Sequence, residues 1–145
     1  MDELVVWLRA QLDEDERIAR ATEWDGSGNR LSWELAASAT IDVGEDEFYA
    51  GDRTIANHVV EHDPARVLRE IDAKRQLLAV HELTFTEALM GEQFDLNGVR
   101  LPPDLDVTCK VCGPVHRLPA YACATVCLLA LPYADRPGYR EEWRP

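Results

Sequence analysis

The sequence predicts an α+β fold, mainly helical: an N-terminal helix, a small antiparallel hairpin or sheet, a long central helix and a Cys-clamped C-terminal segment. Three observations carry this. Leu4, Val5, Leu8, Leu12 and Ala19 recur at helical spacing near the start. Trp, Ile and Val alternate in part between turn residues over 31–49. His62-Asp63-Pro64 then opens a longer helical stripe. The 145 residues fit one domain, 1–145, large enough to bury a core without staples.

Residues 2–21 form the first helix, with Asp2 as its cap. Its acidic run Asp13-Glu14-Asp15-Glu16 is answered by Arg17 and Arg20, Glu16–Arg20 at i,i+4. Asp25-Gly26-Ser27-Gly28-Asn29 is a turn or loop. A hairpin or meander comes next, ending near Phe48-Tyr49. Arg53 to Glu61 suits a short helix capped by Asp52. In the long helix, Asp63 is the cap and Pro64 takes the first helical position, where its missing N–H costs nothing. Val67, Leu68, Ile71 and Leu78 make its buried stripe, which Phe85 joins in a longer reading. It should run to about His81, with a continuation to Met90 as the longer reading. Residues 91–108 read as a loop, and 122–131 as a short apolar helix. Tyr133, Tyr139 and Trp143 lie in the turn-rich tail, and folding them back into the core uses them best.

The net charge of −12 excludes a generic nucleic-acid binder, whose footprint is a basic face. The acidity is local: residues 1–62 hold fifteen acids and five bases, whereas 63–145 hold twelve and ten. Asp2 and Glu3 stand where a secretory signal needs positive charge. The longest apolar stretch, Leu118 to Ala134, is interrupted by Pro119 and Pro132 and is too short for a bilayer. A cytoplasmic protein, without membrane contact, is the expectation.

Two segments carry a resemblance. One is His58-x3-His62-Asp63-Pro64-Ala65-Arg66-Val67-Leu68-Arg69-Glu70. The other is Leu129-Ala130-Leu131-Pro132-Tyr133-Ala134-Asp135, with Pro137-Gly138-Tyr139 and Trp143. Together they resemble an uncharacterised family of small actinobacterial proteins, found also in phages and mobile elements. The family has no assigned activity. Its pattern of a Cys-x2-Cys and a later Cys falls on Cys109, Cys112 and Cys123. Cys127 and Arg136 depart from that pattern.

All four cysteines lie within nineteen residues, as Cys109-x2-Cys112-x10-Cys123-x3-Cys127. Clustered Cys in a cytosolic chain read as a metal or redox site before a structural disulfide. A Cys-x2-Cys knuckle grips one tetrahedral zinc ion through two thiolates, and Gly113 permits the turn after Cys112. The expected zinc knuckle lies within 109–127, with Cys109, Cys112, Cys123 and His81 as ligands. Cys127 and His116 are the alternative fourth ligands. Buried, unliganded thiols and a redox dithiol are the competing readings; the latter lacks the βαβ pattern of a thioredoxin-like site.

His58-Val59-Val60-Glu61-His62 matches the His-x-x-Glu-His pattern of inverted zinc hydrolases. Pro64 breaks that setting at once, and a helix end where His58 packs is the plainer reading. Ser27, Ser32 and Ser38 all fall in the hairpin region, and no glycine-rich phosphate loop precedes a helix. The expected function is therefore a small zinc-stabilised, non-catalytic binding or regulatory protein with a protein partner. The alternatives are a metal-dependent hydrolase using His58, Glu61 and His62, or an acidic DNA mimic of the anti-defence kind.

Overall fold

The computed structural model describes residues 3–87, 105–115 and 123–145. Helix α1 spans Glu3–Ala21, and strands β1 (Trp33–Leu35), β2 (Thr40–Val43) and β3 (Asp46–Tyr49) succeed it. Helices α2 (Arg53–Glu61) and α3 (Pro64–Val80) come next. Strands β4 (Leu83–Glu87), β5 (Leu105–Cys109) and β6 (Gly113–Pro114) precede helix α4 (Ala124–Ala130). Short 3-10 turns at Leu131–Tyr133 and Glu141–Trp143 complete the chain. The fold is mainly α with two small antiparallel sheets, β1-β2-β3 and β4-β5-β6. Among the described residues no helix is long and apolar enough to cross a membrane.

The chain divides into two compact units, Arg9–Arg75 and Met1–Leu8 with Gln76–Pro145. In the first, the meander is in register as Leu35↔Ile41 and Ile41↔Phe48, so one face of β2 presents Ile41 and Val43 inward. They close a core with Ala39 and with Ala56 of α2, sealed by Trp33, Leu35 and Val59. Asp52 caps α2, its Oδ1 accepting the Thr54 and Ile55 N–H groups at 2.8 and 3.1 Å.

Asp63 does two things at the start of α3. Its Oδ1 accepts the Arg66 N–H at 2.8 Å, the cap expected from the sequence, and its Oδ2 accepts the Trp33 N–H at 3.2 Å. A buried carboxylate thereby joins the first strand to the first turn of the helix. On α1 the stripe Leu4, Leu8, Leu12 and Ala19 is buried, and full burial of a Leu side chain is worth about 1.5–3 kcal/mol. The acidic run pairs as the sequence suggests, Glu14 with Arg17 and Glu16 with Arg20. Arg75 of α3 adds pairs with Asp13 and Glu16. The Arg20 and Arg75 guanidiniums hold the Glu16 carboxyl below its usual range.

In the second unit, the tail is packed rather than loose. Tyr133 and Trp143 are buried, and Trp7, Tyr139 and Trp143 form a cluster with ring centroids 5.3–5.8 Å apart. Arg136-Pro137-Gly138-Tyr139 is a type II turn. Pro137 occupies its second position, Gly138 has φ +86°, and the Tyr139 N–H donates to the Arg136 carbonyl at 3.2 Å. The Trp7 indole N–H reaches the Pro137 carbonyl at 3.1 Å.

Two expectations are corrected. Helix α3 ends at Val80, close to the expected His81, but the longer reading fails: Phe85 lies on β4, half-exposed, instead of on a helical stripe. The physical reason is the pairing of 83–87 with β5, which satisfies the backbone of both segments in a ladder. Residues 105–108, read as loop, are that partner strand. The remainder of the expected loop, the Asp2 cap and His116 lie outside the described residues.

Candidate metal centre

His81 closes the last turn of α3, its N–H donating to the Leu77 carbonyl at 3.0 Å. The chain turns at once into β4, which runs antiparallel to β5 with Leu83 opposite Cys109. The ladder extends one residue further, since the Lys110 N–H donates to the Glu82 carbonyl at 3.1 Å. This register carries His81 to the turn at the end of β5.

That turn is a Cys-x2-Cys knuckle. Cys109 ends β5, Lys110 and Val111 turn the chain, and Gly113 opens β6 opposite Cys109. Gly113 has φ +83°, a left-handed conformation that side-chain-bearing residues rarely adopt. The Cys112 N–H points at Cys109 Sγ at 3.5 Å, the amide support a knuckle sulfur receives. Cys123 arrives from the other side as the N-cap residue of α4.

Four donor atoms converge. His81 Nδ1 lies 3.5 Å from Cys109 Sγ, 3.4 Å from Cys112 Sγ and 3.6 Å from Cys123 Sγ. All four lie within 4.8 Å of one another, the group among the described residues suited to hold a metal ion. A tetrahedral ion with sulfur at about 2.3 Å and nitrogen at about 2.0–2.1 Å has nitrogen–sulfur edges of about 3.6 Å. The three nitrogen–sulfur separations match those edges, and one imidazole with three thiols is a donor set suited to a tetrahedral metal. His81, Cys109 and Cys123 are buried, whereas Cys112 is exposed. No disulfide joins any of the four cysteines.

The electrostatics divide the thiols. Burial pushes Cys109 up, but the Cys112 and Val111 N–H groups and the His81 ring outweigh it, and the thiol falls to about 7. Burial also pushes up Cys123, which the neighbouring thiols reinforce, and it rises to about 11. One sulfur is thus prepared as a thiolate, and another surrenders its proton only to a stronger competitor, such as a metal cation.

Of the alternative ligands, Cys127 is buried on the inward face of α4 with Val126 and Ala130, outside the four-residue group. Two further features escaped sequence reasoning: the Thr125 hydroxyl lies 3.8 Å from Cys112 Sγ, and Lys110 pairs with Glu82 beside the knuckle. Thr125 stands two residues after Cys123, so its place in the first turn of α4 was the available signal.

The His58-x3-His62 pair is arranged differently. The ring centroids lie 4.4 Å apart with the planes tilted by 37°, and the His62 Nδ1–H donates to the His58 carbonyl at 2.8 Å, closing the end of α2. Glu61 is exposed, and among the described residues no third ligand joins this pair.

No curated protein and no solved structure matches the chain. Residues 1–145 match the family of unknown function DUF6221, and the chain belongs to that family.

Proposed function

We propose that this protein is a small zinc-stabilised, non-catalytic binding or regulatory protein, with zinc held by His81, Cys109, Cys112 and Cys123. The observation that carries the reading is the convergence of one imidazole nitrogen and three sulfurs within 4.8 Å, with nitrogen–sulfur separations of 3.4–3.6 Å. Four protein donors fill a tetrahedral shell. A hydrolytic zinc keeps one position open for water, so a filled shell supports a structural role. The ion would fasten the start of α4 to the end of α3 and the β5–β6 turn, which the β4–β5 ladder already brings together. Thiolate-rich donors favour zinc over the hard cations calcium and magnesium.

A protein partner fits the surface of the Arg9–Arg75 unit, where Trp24 and Tyr49 are 74% and 68% exposed and Phe48 is half-exposed. Large aromatics are the side chains that anchor protein interfaces. The test of the zinc reading is elemental analysis of protein purified under reducing conditions without chelator. About one zinc per chain is expected, and Cys112→Ser should lose it together with much of the fold's stability. Metal-free protein with an unchanged unfolding transition would refute the reading.

A further inference from the structure

We propose that Cys112 is an oxidation site: hydrogen peroxide reaches the thiol cluster through this side chain, and Cys112 then joins Cys109 in a disulfide that dismantles the metal centre. The inference rests on the zinc reading above and adds the regulation of that site.

Access selects the residue. Cys109 and Cys123 are 1% and 2% exposed, whereas Cys112 is exposed. A dissolved oxidant therefore meets one sulfur of the three, and susceptibility to oxidation tracks exposure and thiolate character. Proximity then decides the product. An isolated sulfenic acid waits for a thiol or is oxidised further, but here the other sulfurs lie within 4.8 Å.

Cys109 is the resolving partner because it shares the turn. Two residues separate it from Cys112, and the Cys112 N–H already points at its sulfur at 3.5 Å. Side-chain rotation and a small movement within one turn can bring the sulfurs to the bond length of about 2.05 Å. Cys123 enters from α4, so pairing with it would draw a second element inward.

The chemistry balances. The Cys112 thiolate attacks one peroxide oxygen; a sulfur–oxygen bond forms, the oxygen–oxygen bond breaks and hydroxide leaves. The Cys109 thiolate then attacks the Cys112 sulfur; a disulfide forms, the sulfur–oxygen bond breaks and a second hydroxide leaves. The two sulfurs together lose two electrons to one peroxide, and two protons from solvent convert the hydroxides to water. Two of the four donors are consumed, leaving His81 and Cys123, too few to retain the ion.

The test uses the full chain as purified. Its zinc content is measured first. Hydrogen peroxide is then added in steps, with released zinc read by a chromogenic chelator and cysteine linkages by peptide mass mapping. Zinc should leave in proportion to peptide carrying the Cys109–Cys112 disulfide, and a dithiol reductant should restore binding. Cys127→Ala, which alters a cysteine outside the cluster, should release zinc over the same peroxide range. Zinc that stays bound under peroxide overturns the proposal and leaves the zinc reading standing. Release accompanied by a Cys112–Cys123 bond, or by sulfinic acid without a disulfide, overturns it as well. A chain with no zinc before peroxide is added overturns both.

Discussion

Leu83 stands opposite Cys109 in the β4–β5 ladder, and that pairing determines where His81 goes. Two residues before Leu83, His81 meets the knuckle turn, its Nδ1 3.4–3.6 Å from three sulfurs. A metal centre can therefore be assembled from parts distant in sequence, because a strand register fixes one donor relative to two others.

Removing that donor is the first prediction. His81→Ala should weaken zinc binding by more than the roughly 10–100-fold that loss of an outer-shell partner costs. His58→Ala, which alters the paired rings at the end of α2, should leave zinc affinity unchanged. Competition with a chelator of known affinity measures both. Equal losses in the two variants would move the metal to the wrong histidines.

Zinc affinity should also depend steeply on pH. Thiolate binds the metal and thiol does not, so protons compete for the same sulfurs. Cys123, raised to about 11, is protonated across the neutral range and must release a proton to the metal. Affinity should therefore rise about tenfold per pH unit between 7 and 9 from this residue alone. Below the Cys109 value of about 7, protonation of that sulfur adds to the competition and the dependence should steepen. Competition titrations at pH 6, 7, 8 and 9 would show it; a flat profile would contradict thiolate ligation.

Asp63→Ala should destabilise the protein by about 1–3 kcal/mol, since it removes a helix cap and the acceptor for a half-buried strand N–H. Asp63→Asn should cost less, because an amide oxygen can still accept one of those bonds. Denaturant unfolding with an unchanged m-value is the measurement. Equal stability of Asp63→Ala and the parent would show that water replaces both contacts.

The tail should behave as core. Gly138→Ala places a Cβ 2.9 Å from the Trp7 indole nitrogen at a φ of +86°, and should cost about 1–3 kcal/mol. Tyr139→Phe should be neutral or stabilising by up to about 1 kcal/mol, because the hydroxyl is buried without a hydrogen-bond partner among the described residues. Truncation after Ala134 should lower the thermal midpoint sharply or give insoluble protein. A truncated chain that melts like the full one would show that the aromatic cluster contributes nothing.

The legible parts of the sequence were those whose cause is local. Asp52 and Asp63 cap the helices that their positions implied, because capping acts within three residues. Leu4, Leu8 and Leu12 are buried because a 3.6-residue repeat places them on one stripe. The Cys109–Cys112 turn was legible for the same reason, a Cys-x2-Cys spacing followed by Gly113, whose φ of +83° the turn uses. Strand β4 was not, because Leu78 and Phe85 are seven residues apart, two helical turns, and extend the α3 stripe on paper. Thr84 and Thr86, β-branched residues flanking Phe85, were the competing strand signal. The contacts from Asp63 to Trp33 and from Trp7 to Pro137 span 30 and 130 residues, and no local pattern encodes them.

The most direct test of the central claim is X-ray absorption at the zinc edge of the purified protein. The expected first shell is three sulfurs at about 2.3 Å and one nitrogen at about 2.0–2.1 Å, with imidazole backscattering that disappears in His81→Ala. A shell of four sulfurs, or one rich in oxygen and nitrogen, would contradict a centre built from His81, Cys109, Cys112 and Cys123.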